Sequence, residues 1–350
     1  MKTKEMPLSY AAIKGDSVYV LCDPIPYIIE IDTCEGKIVR RISCPEEINP
    51  EGELFSGIYI ENDRIAIVPL CARSLWIYDL TRDKWDKIDI SEYINLNTKY
   101  KFFGGQLKSG ILYMFGYNYP GILSVDIVNH VICEVLDKSD SSGGFKGAST
   151  VLKDNNIYIL RRNKNEMISI DINTKQYNVT ALNIRSQDAN DGLAYNGESF
   201  FVLKNSGNVL YKMDEEFSCV EEIVIDSFFN NSRNYFDGIE CFNHKIIFYG
   251  PNCDGCGYLY DIENPNKSRI LNETVVFARK LSDSKIIILK KGIVEIRDII
   301  KQDICEIHVE SYYEEFQDCL KRINIEKNIF TENDVFGLEE LIGLVEQRQG

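Results

Sequence analysis

The sequence predicts a seven-bladed β-propeller of four-stranded antiparallel blades, followed by a short helical tail. Three repeating observations predict it. First, an apolar run ending in Asp recurs about every 45 residues, the spacing of a propeller blade. The clear copies end at Asp32, Asp79, Asp126 and Asp171, and weaker ones at Asp214, Asp261 and Asp298. Second, a turn rich in Gly, Asn, Asp and Ser keeps step with it. It precedes Val18-Tyr19-Val20, Ile65-Ala66-Ile67, Leu112-Tyr113-Met114, Ile157-Tyr158-Ile159, Phe200-Phe201-Val202, Ile246-Ile247-Phe248 and Ile286-Ile287-Ile288. Third, an aromatic stands two residues before a glycine ahead of the best copies: Phe55/Gly57, Phe103/Gly105, Phe145/Gly147 and Phe236/Gly238, with Asn190-Asp191-Gly192 as a variant.

Each unit therefore holds four short strands, A to D. Gly, Asn and Asp tolerate the positive φ of tight hairpins, so the turn residues mark the A–B connections. The strands are apolar along most of their length rather than cleanly alternating. A blade stacked between two others is buried on both faces, which accounts for that pattern. A helical solenoid is excluded because the apolar spacing lacks a 3.6-residue period. Seven units fill residues 1–310 as one propeller domain. The remaining segment, 311–350, has helical apolar spacing from Ser311 to Arg322 and from Asn333 to Glu346, with Thr331, Asn333 and Asp334 as N-caps.

The run Ile77-Tyr78-Asp79-Leu-Thr-Arg-Asp-Lys-Trp85 resembles a kelch repeat, whose unit carries Tyr-Asp followed by Trp at this spacing. The resemblance implies a kelch-like propeller architecture. Kelch units end the second strand in Gly-Gly, whereas this chain has Pro69-Leu70, Arg161-Arg162 or Lys290-Lys291 there. No functional residue is carried over from that family.

The 350 residues carry 54 acidic and 39 basic side chains, a formal net charge of −15, and are 44% hydrophobic. That composition excludes a wholly disordered chain or a collagen. An acidic body is a poor electrostatic partner for nucleic acid. No apolar run reaches the length of a membrane span, and the N-terminus lacks a signal-peptide core. The 11 cysteines are odd in number and scattered. A chain with this much core does not need disulfides, so the expected compartment is the reducing cytoplasm.

The sequence offers little for catalysis. His130, His244 and His308 fall in turns and on an outer strand of different blades and cannot converge on one metal ion. Cys253-Asp-Gly-Cys256 is a single C-x-x-C, read as loop thiols. There is no G-x-S-x-G elbow, P-loop or dinucleotide cradle, so neither cofactor nor metal is expected. Asp191 and Asp237 open innermost strands of adjacent blades at the channel mouth. A pair of carboxylates there is the acid–base set of an alternative reading, a carbohydrate-active lyase or hydrolase.

The favoured expectation is a non-catalytic binding module. Propeller topology puts the B–C loops and D–A connections on one face. The B–C loops are net basic, while the C–D turns opposite are net acidic. Arg73, Arg161, Arg162 and Lys204 are the candidate anion-binding residues, since cationic forks and ammonium groups suit carboxylate or phosphate. Tyr117, Tyr119 and Tyr235 in the same loops are candidate stacking surfaces. The expected partner is a protein or a small anionic or glycan ligand, with neither nucleic acid nor membrane.

Overall fold

The computed structural model describes residues 6–23, 26–46, 53–136, 147–161, 164–184, 190–204, 209–225, 236, 238–250, 257–271 and 273–309; of 147–148 and 190–191 the backbone alone is described. Glu5–Val309 forms one compact unit. The helices expected between 311 and 350 lie outside the described residues.

This unit is a β-propeller of seven blades, each an antiparallel sheet of four strands paired in chain order. Blade one is β1 (Tyr10–Lys14), β2 (Ser17–Cys22), β3 (Tyr27–Asp32) and β4 (Lys37–Ser43). Blade two is β5 (Phe55–Glu61), β6 (Arg64–Pro69), β7 (Leu75–Asp79) and β8 (Lys84–Ile88). Blade three is β9 (Phe102–Lys108), β10 (Ile111–Gly116), β11 (Ile122–Asp126) and β12 (Val131–Leu136). Blade four is β13 (Gly147–Lys153), β14 (Asn156–Arg161), β15 (Glu166–Asp171) and β16 (Tyr177–Ala181). Blade five is β17 (Asn190–Tyr195), β18 (Phe200–Lys204), β19 (Val209–Met213) and β20 (Cys219–Val224). Blade six is β21 (Gly238–Phe242), β22 (Lys245–Tyr249), β23 (Gly257–Asp261) and β24 (Arg269–Leu271). Blade seven is β25 (Phe277–Lys280), β26 (Lys285–Lys290), β27 (Ile293–Asp298) and β28 (Ile304–His308).

The repeated Asp now has a structural reason. In six blades it ends the third strand and in blade five it follows it, and in every blade its side chain accepts backbone N–H groups of the following turn. Asp32 takes those of Cys34 and Glu35, Asp79 those of Thr81 and Arg82, and Asp126 those of Val128 and Asn129. Asp171, Asp214, Asp261 and Asp298 repeat the contact. The Asp is therefore a turn-former satisfying donors that the ladder leaves over. The A–B turns behave as expected of their residues: Asn62 and Asp63 have φ of 48° and 60°, and Ser109 and Gly110 of 54° and 75°.

The glycine of the third element answers a different need. A Cβ on Gly105 would stand 2.7 Å from the Tyr113 carbonyl oxygen, and one on Gly238 would stand 2.5 Å from the Tyr249 ring. At these points on the innermost strands chains approach too closely for a side chain. The paired aromatics Phe55 and Phe236 are buried core residues, while Phe103 is half-buried.

The core lies between blades rather than within them. Blades two and three share a cluster containing Val68, Ile77, Leu112 and Val125, and blades five and six one containing Phe201, Leu210, Ile246 and Phe248. The second strands are buried on both sides, as in β6 and β10, which is why they read as continuous apolar runs. The innermost strands neighbour one another in order, β1, β5, β9, β13, β17, β21 and β25, and β25 returns to β1. Among the described residues each blade is built from four consecutive strands and none is exchanged across the closure. The seam is held by the Met6 carbonyl accepting from Gly292 N–H at 3.1 Å, by Arg279 Nη1 donating to the Ala11 carbonyl at 3.0 Å, and by Tyr10 packed edge-on to Phe277 at 5.6 Å. Met6 and Leu8 are buried beside it. Among the described residues no helix is long and apolar enough to cross a membrane.

Candidate functional site

The face built from the B–C loops and D–A connections is stapled by buried charged side chains. Asp23, in the B–C loop of blade one, accepts the N–H groups of Leu54 and Phe55 at 2.8–2.9 Å and so fixes the entry to blade two. Burial pushes its carboxyl up to about 8 even though those two N–H groups pull it down. Lys204, at the end of β18 and 2% exposed, donates to Asn165 Oδ1 of blade four at 2.6 Å. Lys290 sits among Glu273, Glu295 and Glu306, with Arg297 bridging Glu273 and Glu295.

Lys101 is a further staple. It is fully buried, and its ammonium donates to the carbonyls of Thr98 at 2.7 Å and Cys71 at 3.2 Å. Its own N–H donates to Leu70, and its carbonyl accepts from Tyr117 and Tyr119. The segment before β9 is thereby clamped between the B–C loops of blades two and three. Desolvation holds the Lys101 ammonium below the ordinary lysine range, with Arg73 adding repulsion after that burial effect.

The clamp presents an aromatic group. Tyr100 is held at φ 52°, a left-handed conformation that costs an L-residue roughly 1–2 kcal/mol. It is 50% exposed, with its ring 6.0 Å from Tyr117, and Tyr117 lies 6.1 Å from Phe103. Arg73 is exposed in the same sector, its backbone N–H donating to Glu46. Phe103 is the second residue of β9, so the group reaches the rim of the channel.

The residues expected to form the site are distributed unevenly. Arg73 and Tyr117 share this sector. Tyr119 is fully buried, packed on Phe102 at 5.5 Å, and its hydroxyl donates to Glu134 at 2.8 Å, so it is a core aromatic under the loop. Arg161 is paired with Glu166 at 2.6 Å, the two side chains 11% and 28% exposed. Lys204 is spent on Asn165 as above. Arg162, Tyr235, Asp237, Cys253 and Cys256 lie outside the described residues, and Asp191 lies on β17 with its side chain undescribed. His244 stands 3.3 Å from Glu263 in a surface turn, and His130 occupies a C–D turn at φ 58°. Among the described residues no three His, Cys, Asp or Glu side chains are grouped to hold a metal ion. Sequence reasoning missed Tyr100, Phe103 and Lys101 as a unit. The signal was the tract Lys99-Tyr-Lys-Phe-Phe103, basic and aromatic just before an innermost strand.

No protein-family model matches the sequence, and no curated protein matches it. Among solved structures the chain is similar to a streptogramin B lyase, with 14% identity over 87% of this chain and 94% of that one, at a TM-score of 0.61. It is also similar to the computationally designed Ika8 protein, with 10% identity, 89% and 90% coverage and a TM-score of 0.58. The WD40 repeats of RRP9 match with 8% identity, 87% and 95% coverage and a TM-score of 0.57. At such identities these likenesses establish that the chain is a β-propeller and nothing finer.

Proposed function

We propose that this chain is a non-catalytic interaction module that binds a protein partner through the B–C and D–A face, centred on Tyr100, Phe103 and Tyr117. The observation that carries the reading is Tyr100. It is an exposed aromatic at a left-handed φ, next to a fully buried lysine and beside two further aromatics, and such backbone outliers cluster at ligand-contacting segments. Tyrosines that are half apolar and half polar are the residues protein interfaces concentrate. Arg73 beside them adds a preference for an anionic contact on the partner. The similarity to WD40 repeats supports the reading by analogy of fold. The expected setting is a reducing cytoplasm, in keeping with the odd number of cysteines. A kelch-like descent of blade two belongs to the same reading, supported by Tyr78 packed on Trp85 at 4.9 Å beside the turn-forming Asp79.

The test is quantitative affinity capture with wild type and with the double variant Tyr100→Ser, Tyr117→Ser. A partner enriched by wild type should be lost by the variant and regained when Tyr100 alone is restored. Identical captured sets from both proteins would refute the proposal.

A further inference from the structure

The innermost hairpins can be aligned on their turns, six closing over two residues and blade seven over three. In blades one, two, three, four and six the last pairs before the turn are Lys14↔Ser17, Glu61↔Arg64, Lys108↔Ile111, Lys153↔Asn156 and Phe242↔Lys245. In blades five and seven the corresponding closing contacts are Asn196 with Ser199 and Leu281 with Lys285. The residue two places before that point faces the same tier of the ring in every blade. Ala12, Val151 and Ala194 occupy it in three blades, and the other four carry Tyr59, Gln106, Glu240 and Arg279. The tier therefore mixes small apolar residues packed between blades with four polar side chains.

Three of these polar side chains reach along the channel wall to the next innermost strand. Tyr59 Oη accepts from Gly105 N–H at 2.8 Å, Glu240 Oε1 accepts from Lys280 N–H at 3.1 Å, and Arg279 Nη1 donates to the Ala11 carbonyl at 3.0 Å. Each contact uses only part of the group. The Tyr59 hydroxyl proton, the second Glu240 oxygen and four of the five guanidinium N–H groups are left over. Neither Glu240 nor Arg279 enters an ion pair among the described residues, and the Gln106 amide has no hydrogen-bond partner among them. Arg279 lies close enough to influence the charge of both Tyr59 and Glu240. All four side chains are half-buried, so they keep contact with solvent from within the ring. Burial raises the Tyr59 hydroxyl and the Glu240 carboxyl above their ordinary ranges, as a channel wall short of bulk water requires. Two residues nearer the B–C face, Tyr10 and Phe277 pack edge to face at 5.6 Å, and Tyr249 joins Phe277 at 5.4 Å.

Aromatic faces meet the C–H surface of a sugar ring, and planar Glu, Gln and Arg groups take pairs of its hydroxyls. A guanidinium adds a fork for a carboxylate. We propose that the central channel binds a small polyhydroxylated carboxylate, a sugar acid, with Arg279 on its carboxylate and Gln106, Glu240 and Tyr59 on its hydroxyls. This site is separate from the protein-binding face and stands or falls without it.

The test is calorimetric titration of the full chain with D-galacturonate and D-glucuronate, with D-galactose and acetate as single-function probes. At least one uronate should bind saturably and raise the melting temperature, and galactose and acetate should each bind about tenfold or more weaker. Arg279→Met should cut uronate affinity at least about tenfold. Should that variant melt early through loss of the Ala11 contact, Gln106→Ala breaks no internal hydrogen bond and carries the same expectation. Absence of saturable binding by either uronate up to about 10 mM would overturn the proposal. So would acetate binding as tightly as a uronate, or both variants binding as wild type does.

Discussion

Asp23 Oδ2 accepts the backbone N–H of Phe55 at 2.8 Å, binding a loop of blade one to the first residue of the next innermost strand. Burial raises this carboxyl to about 8, well above its ordinary value of about 3.9. Between about pH 4 and pH 8 the folded chain therefore holds a proton that the unfolded chain releases, and the stability linked to this group falls as pH rises through that window. Asp23→Asn keeps an acceptor oxygen and removes the titration. Urea unfolding midpoints should decline with pH in wild type and decline less in the variant; parallel profiles would show that Asp23 does not titrate in this range.

Lys101→Ala should destabilise the propeller by about 2–4 kcal/mol, because it leaves a cavity and strands the carbonyls of Thr98 and Cys71. Lys101→Met fills the space and should lose less. Denaturant unfolding of both variants separates the packing share from the hydrogen-bonding share, and an Ala variant as stable as wild type would show that the segment before β9 is held by its backbone contacts alone.

At Tyr100 the backbone and the side chain pull in different directions. Glycine occupies φ 52° without strain, whereas alanine does not. Tyr100→Gly should therefore be more stable than Tyr100→Ala by about 1 kcal/mol, although both lose the exposed ring and with it partner capture. Thermal melts of the two variants read this directly, and equal melting temperatures would mean the loop relaxes when the ring is removed.

The turn-forming aspartates predict acid lability. N–H donation from Asn129, Thr174 and Lys301 is the foremost cause holding Asp126, Asp171 and Asp298 below the ordinary carboxylate range. A depressed folded pKa contributes stability that is present above the unfolded value and disappears as pH falls through the folded one. The transition should begin below about pH 4. Asp126→Asn, which retains an acceptor, should flatten that acid limb in a pH-jump unfolding series. An unchanged acid limb would place the sensitivity elsewhere.

The blades were readable because their signals are local. An Asp that bonds N–H groups two and three residues ahead, or a turn residue whose own φ is positive, leaves its mark within one hairpin. Even blade seven, with the shortest interval from the preceding Asp, keeps all four strands, since its A–B hairpin and its Asp298 turn are intact. The seam was not readable, because Arg279 meets Ala11 across 268 positions of chain and no local signal in either strand points to the other. The cations misled for the same reason. Lys204 finds Asn165 in another blade, 39 positions away, so its burial is invisible in the loop that carries it. Tyr119 sits three residues from the end of β11's partner strand and looks like a loop aromatic, yet the bend after Gly116 turns it into the core. The channel tier was within reach: aligning the seven innermost strands on their turns sets Tyr59, Gln106, Glu240 and Arg279 side by side from letters alone.

Because every blade is made of four consecutive strands, the ring is a string of interchangeable segments rather than a threaded loop. A contiguous block can be gained or lost by duplication or deletion between two D–A connections without rerouting any strand. The same property makes each of those connections an eligible place for new termini.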